Sequence, residues 1–285
     1  MPGVKLLVLA TPTPMSDKPI GIFDSGIGGL SVLKYIHASL PNEQLLYFAD
    51  SGYAPYGGKT EDEVVERSLA IAGFLMQHEA KALVVACNTA TAAAIKALRA
   101  RYPDMPVVGV EPGLKPAAAL SKTGTVGVLA TKGTLASEKF RLLREQVSAA
   151  THVQFLPQPC IGLADQVEKG ELQSAETALL LHRYIAPLIE QGADTLVLGC
   201  THYPFVLPLI EETIARVTTR QVAIVDTGEP IARQLVRLLT ERGLLQQEGP
   251  GKIAAFTTGS ETALTTAFKR LLHLEPPVAP IVAAA

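Results

Sequence analysis

The sequence predicts an α/β fold built as two similar lobes with mostly parallel sheets, related by a pseudo-twofold axis, with the active site in the cleft between them. Three observations support this prediction. Short apolar runs alternate with helix-compatible segments along the 285 residues, which is typical of parallel sheets with helical crossovers. The alternation restarts near Gly124, as in a distant internal repeat. In each half an unbroken apolar run ends in a cysteine, first Cys87 and later Cys200.

The first half contains four predicted strands, because apolar, partly β-branched runs end there at turn formers. These runs are residues 20–23, 44–50, 82–87 and 107–110. Helices are predicted between them over residues 30–39, 60–79 and 89–101. Thr60 and Glu63 have the spacing of a capping box, which fixes the start of the second helix.

The second half repeats this order after a short helix at residues 115–121. Strands are predicted at residues 126–130, 153–156, 196–200, 222–225 and 253–256. Helices are predicted over residues 137–147, 174–191, 204–216, 229–242 and 262–272, with a shorter helical piece that ends near Gly170. Residues 1–17 are predicted to be a flexible N-terminal extension, with a signal peptide as the alternative, and residues 275–285 a frayed, proline-rich C-terminal tail.

Composition excludes several classes of protein. A formal charge of −2, from 25 basic and 27 acidic residues, leaves no footprint for nucleic acid. No apolar run approaches the roughly 18 residues that a membrane span requires. Three cysteines are an odd number without the spacing of a disulfide framework, so a reduced, cytoplasmic compartment is predicted.

The first predicted strand ends in a glycine-rich turn, residues 24–29. This turn has neither the Gly-x-Gly-x-x-Gly pattern nor the Gly-Lys-Ser/Thr of a nucleotide-binding loop, and nucleotide binding is kept as an alternative. Its glycines allow a ligand to approach the backbone, and free N–H groups at a helix N-terminus suit an anion. Asp24 would repel an anion and suits a ligand ammonium group or proton transfer instead. A purely structural Asp24 that caps the turn is the alternative.

Cys87 and Cys200 both end a strand where ligands bind in open α/β sheets, and both precede a helix start that is expected to lower a thiol pKa. Two thiols on opposite sides of a flat intermediate can remove a proton from one face of a stereocentre and deliver a proton to the other. Ser25, Asn88, Thr89 and Thr201 are placed to stabilise the carbanion-like transition state. His202 follows Cys200 closely enough to hold a proton for it.

Other readings of the cysteines are open at this stage. Both thiols could be small core residues, which is common for cysteine at the end of a buried strand. A zinc site of Cys87, Cys200 and His202 lacks any compact Cys-x-x-Cys spacing, and so does a redox pair. Cys160 has no counterpart in the first half and is predicted to be structural. Glu168 ends a helix, where most glutamates are solvated, and the residue pattern alone does not select it.

Four motifs together resemble the signatures of the glutamate racemase family, within the aspartate/glutamate racemase superfamily. They are Phe-Asp-Ser-Gly-Ile-Gly-Gly at residues 23–29, Pro-Tyr-Gly at 55–57, Ala-Cys-Asn-Thr-Ala at 86–90 and Gly-Cys-Thr-His-Tyr-Pro at 199–204. The resemblance runs from about residue 20 to residue 272. It implies an enzyme that interconverts L- and D-glutamate for peptidoglycan synthesis, with neither a cofactor nor a metal.

The resemblance also implies roles for individual residues. Cys87 would act on the α-proton of the D-enantiomer and Cys200 on that of the L-enantiomer, with Asp24, His202 and Glu168 assisting. The substrate would be lined by Asp24, Ser25, Pro55, Tyr56, Gly57, Asn88, Thr89, Thr131, Thr134, Thr201 and His202. The family's domains are not consecutive in sequence, which places the first lobe at residues 18–112 plus 222–274 and the second at 113–221.

Several functional alternatives are left open by the sequence. A sister enzyme of the superfamily could racemise aspartate or decarboxylate a related acid, and a member without catalysis could simply bind an amino acid. A homodimer and an effector that is a cell-wall precursor are further expectations from the family.

Overall fold

The computed structural model describes residues 14–281, so most of the predicted N-terminal extension and the last four residues lie outside the described part of the chain. Within this range the chain alternates strands and helices. The strands are β1 (Ile20–Asp24), β2 (Gln44–Ala49), β3 (Ala82–Val85), β4 (Val107–Gly109), β5 (Thr125–Ala130), β6 (Gln154–Pro159), β7 (Thr195–Gly199), β8 (Ala223–Val225), β9 (Lys252–Thr257) and β10 (Val278–Pro280).

The helices connect these strands as crossovers. They are α1 (Leu30–Ser39), α2 (Glu61–Gln77), α3 (Asn88–Arg101), α4 (Leu114–Leu120), α5 (Lys132–Ala136), α6 (Glu138–Thr151), α7 (Leu163–Glu168), α8 (Ala175–Glu190), α9 (Leu207–Val217), α10 (Gly228–Glu241) and α11 (Glu261–Leu272). The capping box predicted at the start of α2 is present, with the Thr60 and Glu63 side chains each bonded to the other's backbone N–H. None of the helices within residues 14–281 is long and apolar enough to cross a membrane.

Two parallel sheets form the two lobes. The first has the strand order β10-β9-β2-β1-β3-β4, and the second has the order β6-β5-β7-β8. The pairings of both sheets are parallel throughout. The central strands β1, β3 and β7 are buried along their whole length, as their uninterrupted apolar runs predict.

The internal repeat is visible in the topology of the two sheets. In each lobe, the first four strands along the chain lie in the spatial order second, first, third, fourth. They are β2-β1-β3-β4 in the first sheet, which β9 and β10 extend at one edge, and β6-β5-β7-β8 in the second. In this arrangement the order reverses between the first and third strands, which is the position where doubly wound folds bind ligands. Cys87 follows the third strand of one sheet and Cys200 the third strand of the other. The two thiols therefore arrive at equivalent points of two similar lobes.

The predicted boundary between the lobes at residue 222 is wrong by one strand. β8 pairs with β7, with Thr195 opposite Ala223 and Val197 opposite Val225, so this strand belongs to the second sheet. Without β8 the second lobe would lack the fourth strand of the repeat. The chain returns to the first lobe only after Val225, through α10 and β9.

Both predicted terminal segments are more ordered than expected where they are described. Residues 278–280 were predicted to be frayed, but they form β10, which pairs in parallel with β9. At the other end, Met15–Asp17 forms a 3-10 turn, and the carbonyl of Ser16 accepts a hydrogen bond from the buried Lys81 ammonium group. Lys81 also forms a buried ion pair with Glu43 at 2.5 Å.

Candidate active site

Cys87 and Cys200 line the same small cavity between the lobes, and both are almost fully buried. Cys87 is the N-cap of α3, where its sulfur accepts the Ala90 N–H at 3.5 Å. The cavity volume is about 40 Å³. It is surrounded by Ser25, Ala54, Pro55, Tyr56, Gly57, Cys87, Asn88, Thr89, Thr131, Ala164, Asp165, Glu168, Cys200, Thr201 and His202.

Most residues that the sequence singled out are thus brought together around one cavity. Asp24 and Thr134 lie just behind its wall: Ser25 Oγ donates to Asp24 Oδ1 at 3.3 Å, and Thr134 Oγ1 lies 3.4 Å from Thr89 Oγ1. Sequence reasoning missed Ala54, Ala164 and Asp165. The only signal for Asp165 was its position one helical turn before Glu168.

The first lobe surrounds Cys87 with a buried carboxyl group and a hydroxyl group. Asp24 is fully buried, and its Oδ2 accepts the Gly29 N–H at 2.5 Å, while Cys87 Sγ lies 3.7 Å from Ser25 Oγ. Burial, and then the negative charge of Asp24, raise the pKa of the Cys87 thiol well above its ordinary value. Burial also raises the pKa of Asp24. The expectation that the helix start lowers the pKa of Cys87 is therefore wrong, because desolvation outweighs the hydrogen bond from the Ala90 N–H.

The second lobe provides Cys200 with a histidine and a glutamate. His202 Nδ1 lies 3.6 Å from Cys200 Sγ, and His202 Nε2 lies 2.7 Å from Glu168 Oε1. Burial by itself would lower the pKa of His202, but the hydrogen bonds and charges of Cys200 and Glu168 outweigh it and raise this pKa well above its ordinary value. An imidazolium ion is therefore favoured beside the Cys200 sulfur.

Glu168 occupies the glycine-rich turn that sequence reasoning considered for an external anion. Its Oε1 accepts the backbone N–H of Ile27 from the other lobe at 2.7 Å. Burial would raise the pKa of Glu168, yet the His202 and Ile27 hydrogen bonds outweigh burial and lower it. The anion at this turn is thus a carboxylate of the chain itself.

The glycines of the turn provide the space for this contact. A Cβ atom at Gly26 would lie 1.9 Å from Glu168 Oε1, and one at Gly28 would lie 2.4 Å from His202 Nδ1. Neither glycine has a positive φ, so close approach of the other lobe is the reason why a side chain does not fit.

Threonine hydroxyl groups join the lobes on another side of the cavity. Thr89, from the first lobe, lies 2.9 Å from Thr131 in the second, measured between their Oγ1 atoms. Thr131 in turn donates to Thr134 at 3.0 Å and caps α5, a short helix that was not predicted from the sequence. A further bond joins Ser31 Oγ to the Thr201 carbonyl at 2.8 Å. These hydroxyl groups form polar contacts between the lobes, and they are also able to donate hydrogen bonds to an anionic ligand.

Asn88 presents an unused amide group to the cavity. Its side chain is 4% exposed, and neither its Oδ1 nor its Nδ2 has a hydrogen-bond partner among the described residues. Because an unsatisfied buried amide costs free energy, such a group in a cavity points to a bound polar ligand.

A buried charge network holds the loop that contributes Tyr56 to the cavity. Tyr56 OH donates to Asp50 Oδ2 at 2.6 Å, and Arg67 donates to both Asp50 oxygens at 2.7 and 2.6 Å. Thr258 donates to the same carboxylate at 2.7 Å. Sequence reasoning selected Tyr56 but neither Asp50 nor Arg67, because their pairing depends on the tertiary fold.

The rival readings of the cysteines can be compared with these positions. All three cysteines are free and buried. Within residues 14–281 no group of three or more His, Cys, Asp or Glu side chains is arranged to hold a metal ion. Cys160 lies at the end of β6 outside the cavity, and burial raises its pKa well above the ordinary value.

Comparison with known proteins gives a consistent picture. The sequence matches the Asp/Glu/Hydantoin racemase family over residues 24–235. A glutamate racemase from Pseudomonas entomophila is 53% identical over 243 residues, which are 85% of this chain and 89% of that protein.

Solved structures of glutamate racemases superpose over nearly the whole chain. An isoform from Bacillus anthracis matches with a TM-score of 0.83 and 33% identity, covering 94% of this chain and 98% of that one. The Escherichia coli enzyme, in complex with L-glutamate and the activator UDP-MurNAc-Ala, matches with a TM-score of 0.79 and 31% identity, covering 94% and 100%. Together with the two-lobe fold, these matches show that the chain belongs to the Asp/Glu/Hydantoin racemase family and, within it, to the glutamate racemases, which are isomerases.

Proposed function

We propose that this chain racemises glutamate with Cys87 and Cys200 as the two proton-transferring groups. The observation that carries the proposal is the meeting of two buried thiols, each from the equivalent point of its own lobe, at one cavity. One thiol per lobe is what inversion of a stereocentre between the lobes requires.

For the conversion of L- to D-glutamate, the Cys200 thiolate removes the α-proton and becomes a thiol. The electron pair of the broken C–H bond stays on the α-carbon and spreads into the adjacent carboxylate. The Cys87 thiol then gives its proton to the opposite face, which forms the new C–H bond and leaves a Cys87 thiolate. The reverse reaction exchanges the two roles. General base catalysis typically contributes about 10²–10⁴-fold, so the remainder of the acceleration must come from fixed polar groups and water exclusion.

The surroundings of the thiols support this assignment of roles. The raised pKa of Cys87 keeps it protonated and ready to donate. On the other side, the raised pKa of His202 favours an imidazolium ion, which stabilises a thiolate at Cys200. Asp24, whose pKa is also raised, is placed to take the proton of Cys87 when the enzyme is to work on the D-enantiomer.

The cavity as observed holds less than the substrate requires. Its volume of about 40 Å³ has room for about three water molecules. Glutamate is considerably larger, so the lobes must separate for binding. The Asn88 amide and the hydroxyl groups of Ser25, Thr89 and Thr201 would then bind the carboxylates, and the negative charge of Asp24 behind the cavity wall would favour the ammonium group.

We further propose that the product is D-glutamate for peptidoglycan and that the enzyme acts in the cytoplasm. The reaction requires two reduced thiols, and a reducing compartment preserves them.

Regulation by a cell-wall precursor is proposed by analogy with the activator in the Escherichia coli complex. Initial rates with and without UDP-MurNAc-Ala test the regulation. Light scattering coupled to gel filtration tests the expected homodimer.

The central experiment compares Cys87→Ser and Cys200→Ser with Cys160→Ala, which removes the thiol outside the cavity. Circular dichroism with each glutamate enantiomer should show a loss of about 10²–10⁴-fold for the first two variants and near wild-type rates for the third. In D₂O the wild-type protein should introduce deuterium at the α-carbon of the product. Racemisation at the wild-type rate by either serine variant would refute the two-thiol mechanism.

Substrate choice is tested in the same assay. Wild-type protein is offered glutamate and aspartate, and chiral chromatography also detects any decarboxylated product. Faster turnover of aspartate would favour the sister activity. Binding of glutamate without deuterium exchange would indicate a protein that binds the amino acid without catalysis.

A further inference from the structure

Tyr47 is a completely buried residue of β2 that lies outside the cavity and has no role in the mechanism above. Its ring packs edge-on against Phe268 of α11, with the ring centres 5.8 Å apart. Its hydroxyl group donates a hydrogen bond of 2.7 Å to the carbonyl of Gly26. The phenol thus lies beneath the glycine-rich turn.

The Gly26 carbonyl belongs to the same peptide unit as the Ile27 N–H group. In a trans peptide these two groups point in opposite directions. On one side the carbonyl accepts from Tyr47, and on the other the N–H donates to Glu168 Oε1 at 2.7 Å. Tyr47 and Glu168 therefore hold one peptide unit from both sides. Hydrogen bonds arranged in such a chain also polarise one another.

The chain of hydrogen bonds continues to the reacting sulfur. Glu168 Oε1 lies 2.7 Å from His202 Nε2, and His202 Nδ1 lies 3.6 Å from Cys200 Sγ. The Ile27 N–H is the contact that fixes the Glu168 carboxylate to the first lobe. A rotation of the Gly26–Ile27 peptide would break it.

We propose that Tyr47 is a positioning residue for the Cys200 half of the reaction, which its hydroxyl group supports through the Gly26–Ile27 peptide, Glu168 and His202. This inference rests on the proposed racemisation. It adds a residue that touches neither the substrate nor the thiols.

The charged surroundings allow Tyr47 to act as a neutral donor. Burial, followed by the charges of Asp24, Glu168 and Cys87, raises the pKa of Tyr47 well above its ordinary value, so the phenol keeps its proton. Tyr47 could instead act through Asp24, which also lies near the phenol but contacts Cys87 and not Cys200. Glu168 itself lies near the charges of His202 and Asp24, with Asp165 and Lys169 on its own segment and Arg270 of α11 lining the same neighbouring cavity.

The first test is Tyr47→Phe, which retains the ring and removes the hydroxyl group. Tyr184→Phe is the matched control, because Tyr184 also donates to a backbone carbonyl, that of Ile161, at 2.7 Å. We expect kcat/KM of Tyr47→Phe to fall about 3- to 10-fold, equally in both directions since the enantiomers have equal free energy. Tyr184→Phe should stay close to wild type.

The pH profile separates positioning from a general loss of stability. A weaker Ile27 N–H contact raises the pKa of Glu168, because it removes a hydrogen bond to the charged form. The acid limb of kcat/KM should therefore move up by about half a unit to one unit in Tyr47→Phe and stay in place in Tyr184→Phe. A lower melting temperature with an unmoved limb would overturn the proposal.

Double variants identify the route. Tyr47→Phe combined with Glu168→Gln should be within about twofold of Glu168→Gln alone, whereas its effect should add fully to that of Asp24→Asn. The opposite pattern would show that Tyr47 acts through Asp24 and would overturn the proposal. Wild-type protein without any racemisation would instead refute the proposed function, so the two failures are distinguishable.

If Tyr47→Phe does not fold, 3-fluorotyrosine at position 47 provides the test, because it keeps the hydroxyl group and makes it a stronger donor. The acid limb should then move to lower pH. An unmoved limb in the folded fluorinated protein would overturn the proposal.

Discussion

The two thiols occupy equivalent positions in the fold but have different chemical surroundings. Cys87 is placed beside a buried carboxyl group, and Cys200 beside an imidazole paired with Glu168. A carboxylate next to a thiol disfavours the thiolate, whereas an imidazolium ion favours it. The two thiols therefore differ in their electrostatic surroundings although their positions in the fold are equivalent.

Asn88 offers a test of binding that is separate from stability. Because its buried amide has no partner among the described residues, Asn88→Ala removes an unsatisfied polar group and places a good helix former in the first turn of α3. We expect an unchanged or higher melting temperature together with a fall in kcat/KM of about 10-fold or more. Thermal unfolding and steady-state kinetics measure both. A destabilised variant with an unchanged KM would show that Asn88 is a structural residue.

At the scale of single residues, sequence reasoning located the groups that stand next to strand ends. Cys87, Asn88 and Thr89 follow one another directly after an apolar run, and so do Cys200, Thr201 and His202. Glu168 was named only through a family resemblance, since its partners lie in the other lobe and 34 residues further along the chain. Arg67 and Tyr47 had no local signal at all, because their roles consist of contacts between distant segments. Asp50 also stands at a strand end, but its partners Arg67 and Thr258 lie far from it in the sequence.

At the scale of elements, the glycine-rich turn between β1 and α1 is the part of the first lobe that contacts Glu168 and His202 of the second lobe. It combines an N–H group that binds Glu168 with glycines that leave space for Glu168 and His202. The sequence predicted the turn and its capacity for an anion. It could not show that the anion is internal, because a single pattern carries no information on the segment that packs against it.

Gly26→Ala tests this view of the turn. The new methyl group would fall 1.9 Å from Glu168 Oε1, so the carboxylate must leave Ile27. We expect a loss of about 10-fold or more in kcat, because the His202 support of Cys200 is displaced.

Gly73→Ala is the control for that variant. Gly73 lies inside α2, and within the described residues no atom outside its own helix neighbourhood lies within 4 Å of an added Cβ. Alanine should raise stability there by about 0.5–1 kcal/mol and leave the activity unchanged. Activity at the wild-type level in Gly26→Ala would show that the Glu168 contact is dispensable.

At the scale of the whole molecule, the alternation of strands and helices and the repeated cysteine context predicted the two-lobe architecture. The limits of the prediction lie where an element is short. β8 has only three residues and was assigned to the wrong lobe, and β10 was missed because its sequence, Val-Ala-Pro, reads as a proline-rich tail. Such edge strands are defined by the neighbour with which they pair, and local composition does not reveal that neighbour.

The ion pair between His202 and Glu168, whose carboxylate also accepts the Ile27 N–H of the first lobe, predicts a pH window for stability. Stability from Glu168, whose pKa is lowered, is fully present above its ordinary value of 4.5 and is lost as the pH falls through the folded-state pKa. Stability from His202, whose pKa is raised, is fully present below 6.5 and is lost as the pH rises through the folded-state pKa. The difference in melting temperature between wild type and Glu168→Gln should therefore be largest between these two values. A difference that is constant from pH 4 to about pH 9 would contradict the charged pair.

The small volume of the cavity predicts that the lobes separate when substrate binds. The cavity that both thiols line has a volume of about 40 Å³, so we expect glutamate to enter when the lobes separate, which breaks the contact between the Ile27 N–H and Glu168 while the strands stay paired. Hydrogen exchange should therefore be faster for the Ile27 amide than for the Ala86 amide, which donates to the Phe23 carbonyl between β1 and β3 at 2.8 Å. Saturating glutamate should speed exchange at Ile27, because it favours the separated form that has room for it, and it should leave Ala86 unchanged. Equal exchange at both amides, with no response to glutamate, would mean that the substrate reaches the thiols without separation of the lobes.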